Sequence, residues 1–295
     1  MTTQLFVDST AYLTKENIER YQIQVLSLSV HFQGDAPETS AANGESYLET
    51  QVDYDYFYKK LTTANALPTS SQPNIHHMQE AFSQALSSGK DLFVLTLSSD
   101  MSGTYQTAKL VLDELQEIYP NRVITLVDSR SNCMQLGFQA LSAAETLASG
   151  KDHSDALIAV FRTQAASRFI FIADTLKYLE KGGRIGKASA FLGTLLNIKP
   201  ILTVQDGRTD AIAKVRTRQK ALEVIADRVA KDVSLHGFRR ACIHHIDNPE
   251  GVKALVEALP HEVAKDIPIV SIGPVIGTHV GPGAVGIVYE TYGRL

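Results

Sequence analysis

Cysteine is scarce in this 295-residue chain: only Cys133 and Cys242 occur, far apart and without C-x-x-C spacing. They offer no disulfide framework and read as reduced thiols of a cytoplasmic protein. Long apolar runs are missing too, since none approaches the roughly 18 residues that would span a bilayer. The opening "MTTQLFVDST" lacks a basic region and a long apolar run, so no secretion leader is expected. Positive charge is not in excess: 28 Lys and Arg against 32 Asp and Glu leave a net charge of −4. That disfavours broad electrostatic binding to nucleic acid or to anionic membranes. Internal repeats, heptads and low-complexity tracts are absent as well. What remains is an ordinary globular composition, 44% apolar and 20% charged, long enough for two domains or one large one.

The first half alternates strands and helices. "QLFVDS" and "VLSLSVHF" read as strands flanking the helix "TKENIERYQ", which Thr14 opens. A polar stretch over residues 34–50 precedes the helices "DYDYFYKKLTT" and "NIHHMQEAFSQALSSG". Strand "DLFVLTLS", helix "TYQTAKLVLDELQEIY", strand "RVITLVDS" and helix "CMQLGFQALSAAETLASG" follow. This rhythm predicts a mainly parallel sheet with helices on both faces. The polar "SGKDHSD" near residue 150 is the expected break, giving an α/β domain over 1–152 and another over 153–295. In the second, "QDGR" between two apolar runs carries the Asp-Gly signature of a hairpin, so its sheet is expected to be mixed.

Several motifs invite chemistry. Gly281, Gly283 and Gly286 spell G-x-G-x-x-G, but the β-branched run "AVGIVYET" follows at once where a dinucleotide fold needs a helix, and Pro282 removes an N–H. "GGRIGKAS" fails as a phosphate loop, with Lys181 and Ala188 where Gly and Ser or Thr are required. The pairs His76-His77 and His244-His245 diverge in direction, with no carboxylate or cysteine at ligand spacing, so no metal is expected. Two loops share a design. Thr69, Ser70 and Ser71 precede one helix, and Ser102-Gly103 precedes another. A hydroxyl at a helix start either caps that helix or binds an anion, and glycine lets backbone approach the ligand. Two such loops in one α/β domain point to a small-anion site. A serine esterase or thioesterase using Ser102, His279 and Asp8 or Asp128 is the catalytic alternative, although "DMSGT" lacks the G-x-S-x-G elbow.

Taken together, "VDSTAYL", "PTSSQP", "SSDMSGTYQTA", "VDSRS", "LEKGGRIGKASAFLGTLLNIKPILTV", "DGRTDAIAKVRTRQKAL" and "GPVIGTHVGPGAVGIVY" resemble the DegV family almost end to end. The resemblance implies a two-domain α/β protein that holds a long-chain fatty acid in a tunnel between or within its domains, and needs no cofactor. The matching carboxylate-binding positions are Ser70, Ser102 with Gly103, and His279, and Arg184 matches an arginine near the pocket mouth. Members of the FakB type present the fatty acid to a separate kinase that makes an acyl-phosphate for phospholipid synthesis, and are not themselves enzymes. The glycines around His279 are then expected to form a tight loop that brings it to the head group. The chain departs from the family at Ser70, usually Thr, and at Cys133 and Gln135, usually Ser and Gly.

Overall fold

The computed structural model describes residues 2–33, 44–192 and 198–295. Residues 34–43 of the polar stretch, and 193–197 within the long segment beginning "LEKGGR", lie outside the described residues. In chain order the elements are β1 (Thr3–Asp8), α1 (Lys15–Tyr21), β2 (Gln24–Leu26), β3 (Ser29–Phe32), β4 (Glu45–Leu48), α2 (Tyr54–Thr63), β5 (Thr69–Ser71) and α3 (Ile75–Ser87). Then come β6 (Asp91–Thr96), α4 (Thr104–Ile118), β7 (Ile124–Asp128), α5 (Cys133–Ala148), α6 (His153–Ala166), β8 (Ser167–Ile172) and α7 (Lys177–Lys181). The remainder is β9 (Lys199–Gln205), β10 (Arg208–Val215), α8 (Arg218–His236), β11 (Phe238–His245), α9 (Pro249–Ala258), α10 (His261–Ala264), β12 (Ile269–Ser271), α11 (Pro274–Val280) and β13 (Val285–Thr291). Helix starts follow local chemistry. Thr14, Asp53, Asn74, Thr217 and Asn248 each accept a first-turn N–H, and Pro249 occupies the first turn of α9.

The chain packs as two compact units. The first comprises Met1–Ser29, Leu48–Thr50 and Ser71–Gln164; the second comprises Val30–Tyr47, Gln51–Ser70 and Ala165–Leu295. A single break at 152 therefore differs from the observed division in two ways. Segments of the N-terminal half go with the second unit, and α6 goes mostly with the first. The reason for the latter lies at His153, whose ring bonds Thr3 Oγ1 at 3.1 Å and Thr125 Oγ1 at 2.7 Å, pinning the start of α6 to β1 and β7.

In the first unit the sheet is parallel, in the order β2-β1-β6-β7. Alternate residues of β6 face opposite sides. Leu92 and Val94 pack with Met78, Phe82, Val111 and Leu115 of α3 and α4, while Phe93 meets the His153 ring of α6 at 5.4 Å. Helices thus cover both faces, as the alternation of strands and helices predicted. The order places a topological switch between β1 and β6, and the Ser102 loop leaves from the carboxyl end of β6.

The second unit has a mixed six-stranded sheet, β10-β9-β8-β13-β11-β12, in which only β11 and β12 run parallel. Ile225 and Val229 of α8 and Leu255 of α9 pack on one face against Ile170, Ile243 and Ile287. Asp206 and Gly207 have φ of 51° and 80°, and Gln205 pairs with Arg208, the two-residue hairpin expected from "QDGR". A small sheet, β4-β3-β5, accompanies it. "VLSLSVHF" is not one strand: β2 joins the parallel sheet and β3 the small one.

Candidate functional site

In the first unit, Ser98 accepts the backbone N–H groups of Met101 and Ser102 and donates its own N–H to Ser131 at 2.8 Å. These bonds tighten the loop ahead of α4 and tie it to the loop ahead of α5. At the base, buried Asp8 accepts from the Leu97 N–H and from the N–H and hydroxyl of Thr10. Burial raises its pKa to about 6 against the effect of those donors. Gly103 is exposed, and a methyl group there would overlap Gln72, whose amide donates to Thr107 Oγ1 at 2.5 Å.

Ser102 is half-buried. Its oxygen lies 2.9 Å from Thr104 Oγ1 and accepts the Thr104 N–H at 3.3 Å. A hydroxyl has two acceptor lone pairs and one hydrogen. When Thr104 donates both its N–H and its O–H, the Ser102 hydrogen is left to an anion. The serine is thus a local brace and a potential donor at once.

In the second unit, Ser70 lies on β5, and Ser70 Oγ is 2.8 Å from His279 Nε2. The helix that follows is capped by Asn74, which accepts from the His76 and His77 N–H groups, so capping does not explain Ser70. His279 sits in the last turn of α11, not in a tight loop. The chain turns only afterwards, at Gly281 and Gly283 with φ of 80° and 84°. Helix α11 was illegible in "GPVIGTHVG" because three glycines and four β-branched residues depress helix propensity; tertiary packing overrides it. Tyr58 of α2 donates its hydroxyl to the Ile272 carbonyl at 2.7 Å, and a methyl group on Gly277 would come within 2.7 Å of the Tyr58 ring.

Burial, and then the nearby Arg184 guanidinium, push the His279 pKa down to about 4, so the ring is neutral at pH 7. Its Nδ1 is buried without a hydrogen-bond partner among the described residues. Arg184 is exposed and donates to the Gly182 carbonyl at 2.7 Å. The third glycine of the G-x-G-x-x-G spelling, Gly286, is a residue of β13 and starts no helix.

A catalytic triad needs an imidazole held by a carboxylate at Nδ1 and facing the nucleophile through Nε2. Here Nε2 faces Ser70 and Nδ1 has no partner among the described residues, while Asp128 accepts from Ser99 and from the Arg130 N–H. His76 and His77 lie exposed on α3; on β11, His244 is fully buried and His245 is not. No helix among the described residues is long and apolar enough to cross a membrane. Sequence reasoning missed Tyr58 and Gly182, whose relevance comes from packing against α11 and His279. At the departures, Cys133 has φ of 51° and Ser131 Oγ donates to Gln135 Oε1 at 2.6 Å, so both substituted positions are absorbed at the start of α5.

Comparison with known proteins extends the picture along the whole chain. A family model described as an uncharacterised protein of the DegV family matches residues 2–292. A DegV domain-containing protein of Clostridium acetobutylicum is 42% identical over 291 residues, covering 99% of this chain and 98% of the relative. The solved structure of a DegV family protein from Thermus thermophilus, described as showing fatty acid binding, superposes with a TM-score of 0.87 at 30% identity, covering 99% of this chain and all of that one. The structure of DegV from Bacillus subtilis, described as a fatty acid binding protein, has a TM-score of 0.83 at 32% identity, covering 99% of each chain. Full-length coverage at such identity, on two α/β units built as those motifs predicted, means that the chain belongs to the DegV family.

Proposed function

We propose that this protein binds a long-chain fatty acid in an apolar tunnel, with its carboxylate held by Ser70 and Ser102, and presents it to a separate kinase that forms the acyl-phosphate. The observation that carries the reading is the Ser70–His279 pair, a hydroxyl held at 2.8 Å by a neutral imidazole. If Nε2–H donates to Ser70, the serine hydrogen is free for a carboxylate. Had Nε2 been bare, Ser70 would spend its only hydrogen on the ring and offer an anion nothing. Solved relatives described as fatty-acid-binding proteins support the same ligand class.

The energetics divide the work. Burying some fifteen methylenes at about 0.8 kcal/mol each gives on the order of 12 kcal/mol before association costs. A hydrogen bond to a charged group adds about 1.5–3 kcal/mol. The tail supplies most of the affinity, and the hydroxyls decide which end of the ligand is held. An unpaired buried carboxylate would oppose binding. The protein forms no covalent bond in this scheme and acts as a binding subunit without cofactor.

Native mass spectrometry and lipid extraction of the purified protein test the proposal. A co-purified fatty acid, or saturable binding of palmitate or oleate, is expected. Neither appearing would defeat it.

A further inference from the structure

The Nδ1 side of His279 poses a problem of its own. A buried ring nitrogen without a partner is costly in either protonation state, and the fold holds it there. Gly182, the residue that ends α7, lies against it. A methyl group at Gly182 would overlap Nδ1 and stand 3.2 Å from Cε1, so one α-hydrogen of the glycine is aimed at that nitrogen. The Gly182 N–H is not available to it, being donated to the Tyr178 carbonyl at 2.9 Å. A C–H group carries a small positive charge and makes a weak contact with a bare lone pair, whereas it repels an N–H. Arg184, donating to the Gly182 carbonyl, adds positive charge on the same side. From the other elements, Ser70 of β5 faces Nε2, Tyr58 of α2 backs α11 at Gly277, and the Tyr178 ring of α7 packs under Gly281.

We propose that Gly182 is a positioning residue that seals the Nδ1 side of His279, leaves that nitrogen bare, and so directs the single ring proton through Nε2 to Ser70. This rests on Ser70 being a head-group donor, because only then does its hydroxyl hydrogen have to remain free. The motif "GGRIGK" thereby acquires a role that its charge does not explain: its first glycine is required by the imidazole, not by a turn. Gly183, with φ of +70°, is the residue that serves the turn.

Nitrogen-15 histidine NMR on the lipid-free, full-length protein reads the tautomer directly. The wild type is expected to show His279 protonated at Nε2 and bare at Nδ1, with no titration above pH 5. Gly182→Ala is expected to displace the ring, move its titration toward higher pH and weaken palmitate binding about tenfold, the worth of one hydrogen bond. On a His279→Gln background the same substitution should change affinity less than about twofold, since two changes acting through one group do not add. A wild-type ring protonated at Nδ1 overturns the proposal without any variant having to fold. So do unchanged His279 signals in a folded Gly182→Ala protein, or losses that multiply in the double variant. If palmitate does not bind the wild type, the fatty-acid reading fails, while the tautomer still decides the role of Gly182.

Discussion

At the scale of single residues, the serines matter for where their hydrogens go. Ser102 is braced by Thr104, whose N–H its oxygen accepts. On the proposed reading, Ser102→Ala removes one charge-assisted donor along with a local turn contact. Palmitate affinity measured by titration should fall about 10- to 100-fold, the equivalent of about 1.5–3 kcal/mol, while the melting temperature changes little. An unaltered dissociation constant would remove Ser102 from the head-group site. Thr104→Val is the companion experiment. It keeps the helix start and the backbone N–H but deletes the hydroxyl that occupies Ser102, so any loss should be smaller than that of Ser102→Ala.

At the scale of elements, the glycines of "GTHVGPGAVG" have separate structural reasons. Gly277 clears the Tyr58 ring, Gly281 turns the chain at φ of 80°, and Gly286 lies within β13 against β8. A methyl group on Gly286 would meet the Phe171 Cα at 2.7 Å and the Ile170 carbonyl at 2.5 Å, both backbone atoms that cannot swing aside. Gly286→Ala should cost on the order of 1–3 kcal/mol in urea unfolding, the range for overpacking a tight interior. Stability equal to wild type would mean that β8 and β13 sit farther apart than described. Tyr58→Phe tests α2 in the same way. Losing the bond to the Ile272 carbonyl should cost about 1 kcal/mol, because an apolar ring still fills the space beside Gly277.

At the scale of the whole molecule, proton linkage joins distant groups. His244, fully buried, and His279 both have pKa values near 4, lowered chiefly by desolvation. Between pH 6.5 and 4 the unfolded chain takes up protons on these rings while the folded protein does not, so stability falls on acidification. Asp8 works in the opposite sense. With its pKa raised to about 6, the folded state binds the extra proton between pH 3.8 and 6, and stability rises as pH falls through that window. Two histidines outweigh one aspartate, so the urea midpoint of lipid-free protein should be lower at pH 4.5 than at pH 7.5. His244→Phe should flatten that slope. It also deletes a bond to the Val270 carbonyl, costing about 1 kcal/mol at neutral pH. Presentation to a kinase, as proposed above, would likewise be a property of the intact molecule. Arg184→Ala should retain bound fatty acid yet slow acyl-phosphate formation when kinase and ATP are added; equal turnover would free Arg184 of that role.

The sequence by itself determined the α/β rhythm, the parallel and mixed sheets, the Asp-Gly hairpin and the family. Each is written in short-range signals: apolar alternation, helix caps, φ > 0 turn residues and contiguous motifs. Tertiary structure alone decided that β2 and β3 part company within eight residues, that α6 stays with the first sheet, and that "GPVIGTHV" is a helix. It also brought Ser70 to His279 across 209 positions and Gly182 to the far side of the same ring. Local propensity has no access to such pairings, because what favours them is burial and close packing between segments that the sequence keeps far apart.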